Sequence, residues 1–370
     1  MARRIGIVLL VALTVAVVAA PARAVGAFGP AVTAADLGCV SNGTGGAKAS
    51  LGGDGVVRGW AESTGPACAD DRIWYFQGAG RSWIRERSPY RGALLAASSD
   101  GTGAYVMYQA ADGIHLSKRT PGGAYTAGRL LSASNRFPEG AVIAKSGSWW
   151  AVWREQTGEN RFGDPVFSLF QAKTYGTDQA RQRITAHGGD SDNSPDLALR
   201  PGGGAVLVWS RHIDLDESEQ IRVATSADGR WTSRSFAGPT GFDTYQVPQV
   251  VTDSRWTYVT WMLDHSVNES DNRSGRFRSH RFFTPGWYPR IAVSGGKTFV
   301  AWSAHSRSDE PDHVFVAERA GTTWTGVNLP RTAPTAEITQ EATAYGGKAT
   351  VLQIDVNVGG RNLVLARSQR

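Results

Sequence analysis

The chain is poor in several things at once. Of its 370 residues only 2 are Cys and 3 are Met, and charged residues make up 19%. Two cysteines cannot knit a disulfide-dense scaffold, which excludes the small stapled folds. Lysine is scarce as well: 6 of the 39 basic residues are Lys, which leaves 33 Arg. No helical apolar period is sustained, which argues against a helical architecture. No stretch beyond residue 20 is long and apolar enough to cross a bilayer. Glycine is abundant, at 44 residues, but lacks the period of collagen. With 41% hydrophobic residues the chain is also too apolar to be disordered.

The net charge of +6 carries little weight. Residues 1–24 hold Arg3, Arg4 and Arg23 and no acid; without them 36 basic residues face 33 acidic ones, a net of +3. Nucleic acid is therefore not an expected partner, because it demands a clustered basic face. The same segment has the form of an export leader. Arg3 and Arg4 precede an apolar run from Ile5 to Ala20, and Ala22-Arg23-Ala24 fits the small-x-small cleavage rule. Cleavage after Ala24 is expected, leaving a secreted, monomeric chain without a membrane span. In that compartment Cys39 and Cys68 are expected to form a disulfide that staples residues 25–44. Asn42, Asn268 and Asn272 open N-x-S/T sequences, which matter only in a glycosylating host.

What the chain has is a repeat. A strand-like run ending in an aromatic recurs at Trp153, Trp209, Trp261 and Trp302, with weaker copies at Trp60 and Tyr108 and Gln353 in the last slot. The spacing is 41 to 56 residues. Before four of the tryptophans a proline opens another apolar run: Pro138, Pro195, Pro248 and Pro289. Proline is tolerated at a strand's first residue, where its missing N–H is not needed. A glycine turn separates the two runs, and a Gly-centred hairpin such as Ile221 to Phe236 follows. The unit is four antiparallel strands, A to D, at the period of a β-propeller blade.

Seven copies fit, near 45–89, 91–131, 138–186, 194–236, 244–285, 286–329 and 336–370, with six as the alternative because the first copy is weak. Residues 45–370 thus read as one all-β propeller domain. The first copy lacks a clear strand A and the last ends after strand C. Exchange between the termini would close the ring.

These patterns resemble the secreted sialidase-like (BNR, or Asp-box) β-propellers of actinobacteria. The resemblance spans nearly the whole mature chain. Its sharpest element is Ser226-Ala227-Asp228-Gly229-Arg230-Trp231-Thr232, a shortened Asp-box in which Trp and Thr are reversed. An Asp-box is a folding device, since its Asp ties down its own turn. The early Arg-Ile-Pro of true sialidases is missing. The resemblance implies a secreted propeller rather than a competent sialidase.

In such a ring, turns A–B and C–D share one face and are short here. Turns B–C and D–A share the other and are long and polar, at residues 154–165, 211–220, 264–276 and 303–312. Function is expected on that face. The residue after each strand A proline would border the central channel: Glu139, Asp196, Gln249 and Arg290, with Glu341 in register. Carboxylates with an Arg and a Gln at a channel mouth could bind sugar hydroxyls or supply an acid/base pair. They could equally bond neighbouring loops. Tyr245, Trp287 and Tyr288 lie at D–A loops and could stack a sugar or pack on the next blade.

His212, His265 and His305 follow the tryptophans of three consecutive blades, but lack the close spacing of a metal motif. A histidine base or solvated loop histidines are the other readings. Asp190 to Asn193 and Asp214 to Glu217 invite calcium without forming a full binding loop. No cofactor is expected otherwise. The strand B tryptophans read as core. The sequence thus points to carbohydrate or surface-protein binding. A glycan hydrolase or lyase, or a structural propeller, are the alternatives.

Overall fold

The computed structural model describes residues 25–37, 46–51, 54–63, 72–133, 136–176, 178–186, 189–200, 202–214, 218–240, 247–274, 277–304, 313–329, 337–358 and 361–370. Among them every regular element is a β-strand. The leader, Cys39, Cys68, Asn42, Tyr245 and His305 lie outside the described residues.

All strand pairs are antiparallel, and they fall into five four-stranded sheets and one seven-stranded sheet. The larger sheet is two four-stranded units that share one long strand, Arg278–Ser294. Its first part pairs backward, Pro285 facing Ser266, and its second part pairs forward, Gly286 facing Ala304. By pairing, then, seven four-stranded units follow one another. Their innermost strands are Ala47–Leu51, Ala93–Asp100, Gly140–Lys145, Ser191–Leu199, Gln249–Thr252, the end of Arg278–Ser294, and Glu337–Tyr345. Each contacts the next, and the last contacts the first. That is a closed ring of blades around a channel.

Two expectations are sharpened. The first blade does have an inner strand, Ala47–Leu51, which is short, alanine-rich and not introduced by proline. The ring is closed by Val32–Asp36, which pairs with Arg361–Ser368 as the outer strand of the last blade. Phe28 adds a bridge to Gln369, and the Gly29 N–H donates to the Ser368 carbonyl at 2.9 Å.

The second strand of each blade is buried on both sides because blades stack face to face. In Ser148–Glu159 the run Trp149 to Trp153 is buried throughout. Ala151 and Trp153 turn toward Tyr105, Met107 and Ile114 of the preceding blade. Trp150 and Val152 turn toward Leu207 and Trp209 of the following one. Strand alternation thus sends one residue in two to each interface. Trp60, Trp209 and Trp302 occupy the same buried level, and Gln353 fills that slot in the last blade. The tryptophan series is core, as its repetition indicated.

The shortened Asp-box also works as a turn lock. The Gly229 N–H donates to Ser226 Oγ at 2.7 Å and the Arg230 N–H to Asp228 Oδ1 at 3.0 Å. Trp231 Nε1 reaches Gln171 of the preceding blade at 2.9 Å, and Lys173 Nζ donates to the Asp228 carbonyl at 2.6 Å. Gly204 ends another turn with φ +76, where a Cβ would lie 2.0 Å from the Ser226 carbonyl oxygen.

Truncating Trp302 to alanine empties a fully buried site, and the expected cost is about 3–5 kcal/mol in a urea titration. Deleting residues 25–37 leaves Arg361–Ser368 with an open edge. A lower thermal midpoint and concentration-dependent association are expected, read by scanning calorimetry and light scattering.

Candidate functional site

The channel opens at the starts of the innermost strands into a cavity of about 410 Å³. Its wall includes Lys48, Glu62, Glu139, Asp196, Gln249, Tyr288, Arg290 and Glu341. The five expected ring residues therefore meet in one concavity, and Tyr288 joins them. In four blades the ring residue occupies one register position, opposite the residue before the core slot. Asp196 faces Val208, Gln249 faces Thr260, Arg290 faces Ala301 and Glu341 faces Leu352.

Glu139 departs from this pattern. Ala141 faces Val152 in that blade, and the Glu139 carbonyl accepts from the Arg154 N–H at 3.0 Å. Glu139 thus sits two residues further out, on the rim. Its carboxylate accepts from the Ser194 N–H at 2.5 Å and lies 3.3 Å from Arg154. It is a link between blades rather than a free acid.

Lys48 and Glu62 went unrecognised in the sequence because the first inner strand did. A signal existed: Lys48 lies 12 residues before Trp60, as Gln249 does before Trp261, Arg290 before Trp302 and Glu341 before Gln353. Counting 12 back from the core slot finds Lys48, Gln249, Arg290 and Glu341; counting one on from proline finds Glu139, Asp196, Gln249 and Arg290.

Burial sets the electrostatics. It pushes the Lys48 ammonium down, with nearby Arg290 adding to the effect and Glu341, Asp196 and Glu62 opposing it. It pushes the Asp196 carboxyl up, against a hydrogen bond of 2.7 Å from the Val250 N–H to Asp196 Oδ2. It pushes Glu341 up to about 7, although Arg290 and Lys48 both favour the charged form. Glu62 Oε2 accepts from the Leu94 N–H. Arg290 is buried and donates to the Pro289 carbonyl at 3.2 Å.

Three residues at this mouth hold a left-handed backbone: Phe137 (φ 46), Ser194 (φ 49) and Tyr288 (φ 52). Each directly precedes an inner-strand proline. For a non-glycine residue this costs about 1–3 kcal/mol, and such strain clusters at functional sites. The pairing register shifts at two of the three positions, between Asn193 and Asp196 and between Trp287 and Arg290.

Among the described residues, Trp287, His212 and His265 are not part of the cavity wall. Trp287 packs edge-on against His265, with ring centroids 5.7 Å apart. His212 sits in strand pairing opposite Ser191 and Glu219. Among the described residues no group of three His, Cys, Asp or Glu side chains could hold a metal ion. Leu215 to Glu217 lie outside the described residues, and the described acids of the two stretches have structural partners. Asp192 is fully buried against Trp209 Nε1 (2.7 Å) and Arg211 Nε (2.8 Å). Asp214 bonds Asn160 at 3.0 Å.

No family model and no curated protein matches the chain. Solved structures do, at the level of fold. A polysaccharide lyase, Uly1, superposes with a TM-score of 0.56 at 8% identity, covering 85% of this chain and 88% of that one. The Penicillium chrysogenum α-L-arabinanase with arabinobiose gives 0.51 at 10% identity, covering 92% and 98%. A mutant of the Aleuria aurantia lectin with Fucα1-6GlcNAc gives 0.50 at 13% identity, covering 78% and 96%. With its closed ring and channel-mouth cavity, the chain is a β-propeller.

Glu341 keeps its proton to higher pH folded than unfolded. The folded state therefore loses stability as pH rises from the ordinary carboxyl range through about 7. The loss is on the order of 3 kcal/mol. Urea titrations should show Glu341→Gln near neutral at pH 5 and stabilising at pH 8.

Proposed function

We propose that this chain is an exported carbohydrate-binding propeller that takes its ligand at the channel mouth. The observation that carries this is convergence. Hydrogen-bonding side chains of opposite charge, amide Gln249 and aromatic Tyr288 come from separate blades into one cavity of about 410 Å³. Few polar groups converging in a concavity are what a small polar ligand needs. A sugar ring presents many hydroxyls that both donate and accept, which suits mixed acids, cations and an amide. The fold supports the reading, since the solved propellers named above include a lectin and an arabinanase, each with a bound saccharide. The leader-like residues 1–24 and the Cys39 and Cys68 pair suit export, and the locked Ser226 turn suits a sialidase-like, Asp-box lineage.

A second reading, glycoside cleavage, is favoured by one observation. Glu341 sits at about 7, where a carboxyl can deliver a proton, and Asp196 is close enough to raise it. In that reading Glu341 is the acid, and Asp196 is the second carboxylate.

A glycan array followed by calorimetry tests the first reading. Arg290→Ala should weaken any glycan found by about 10- to 100-fold, the range for a lost charged hydrogen bond. No glycan bound, or unchanged affinity in that variant, overturns the site. Reducing-sugar and unsaturated-uronide assays test the second. Glu341→Gln should lower turnover by about 10²–10⁴-fold if cleavage occurs.

A further inference from the structure

We infer that the cavity is built for a sugar residue bearing a carboxylate, with Lys48 as the residue that selects for it. This deepens the carbohydrate reading and rests on it.

The inference starts from what each charged group of the wall is already doing. Glu62 accepts from the Leu94 N–H, Glu139 from the Ser194 N–H with Arg154 beside it, and Asp196 from the Val250 N–H. These carboxylates tie one blade to the next. Lys48 cannot join that scheme, because an ammonium only donates. Its ammonium makes no hydrogen bond or ion pair among the described residues. Arg290, from a blade next but one round the ring, pushes on it with like charge. Lys48 is half-buried; Glu341, Asp196 and Glu62 offset its charge without a direct bond to it, and a second cation nearby adds to its cost. A ligand carboxylate seated between Lys48 and Arg290 offsets both charges. The ammonium donates to a carboxylate oxygen, and the Arg290 guanidinium in the same wall adds positive charge. The sugar hydroxyls are left for Gln249 and the rim.

Glu341 makes the uptake proton-linked. It is the remaining carboxyl facing both cations, with Asp196 as the other acid that it feels. A ligand carboxylate displaces it as counter-ion, and it then retains its proton. Binding of an acidic sugar should weaken as pH rises above 7, approaching tenfold per unit.

The experiment uses one oligosaccharide backbone in neutral, uronate and sulfated forms, titrated into the full chain by calorimetry at pH 6 and pH 8. The expected result is a uronate preference over the neutral form of about 10- to 100-fold at pH 6. Lys48→Met should erase that preference, costing uronate affinity about 10- to 100-fold more than neutral-sugar affinity. Glu341→Gln should erase the pH dependence. A preference for the neutral form, or one untouched by Lys48→Met, overturns the inference while the glycan reading stands. A preference for sulfate over uronate overturns the carboxylate assignment.

A second measurement does not need a polymer. The chain has 6 lysines, so ¹³C-dimethylated protein gives few resonances, and Lys48→Met assigns one. Glucuronate should shift that resonance and glucose should not. No shift with glucuronate overturns the inference, whatever the glycan array returns.

Discussion

Every innermost strand of this ring is paired on one side only. Its other edge turns toward the channel and the neighbouring blade, and the N–H groups there must find acceptors. Side-chain oxygens of the preceding blade supply them. Glu62 serves Leu94, Ser98 serves Ala144, Glu139 serves Ser194, Asp196 serves Val250 and Ser303 serves Thr339. The acceptors come from inner strands (Ser98, Asp196), from second strands (Glu62, Ser303) and from the residue just before an inner strand (Glu139). These bonds join consecutive blades.

The chemistry of the mouth follows from that constraint. Glu62, Glu139 and Asp196 are drawn into holding the ring together, whereas Glu341 enters none of these ties. Cations are excluded from the same duty. Lys48, in the same wall, can only donate and forms no such tie among the described residues. The strained residues before the inner prolines fit this picture, because Ser194 offers its N–H to Glu139 from a left-handed backbone. The tie and the strain belong to one local structure.

Much of the fold was legible because blade packing demands a large apolar residue at one repeated level. Trp60, Trp153, Trp209, Trp261 and Trp302 answer that demand and betray the period. The first inner strand was hidden because Ala47–Leu51 packs with small side chains and needs neither proline nor β-branching. Lys48 was lost with it. Glu139 was legible as a channel residue but not as a rim tie, because the sequence does not show that Ala141, two residues on, takes the ring's register position in that blade. The proline that guided the reading marks where a strand enters; the aromatic marks where it is paired. Register belongs to the second. The unbroken strand Arg278–Ser294 was likewise unreadable, since Pro285 and Gly286 look like a break. Proline loses no ladder bond there because the strand changes partners at that point.

The strand Val32–Asp36 gives the molecule a directional history. It is made before any blade, yet its partner Arg361–Ser368 is made last. For the whole of synthesis the chain carries an unsatisfied edge at its front and builds six blades before that edge can be used. Assembly of the circle is therefore a closing event between opposite ends of the polymer, and the last blade cannot be complete in any shorter nascent chain. A second copy nearby during that interval offers the same edge, so the clasp that finishes one ring is also where two chains could be exchanged.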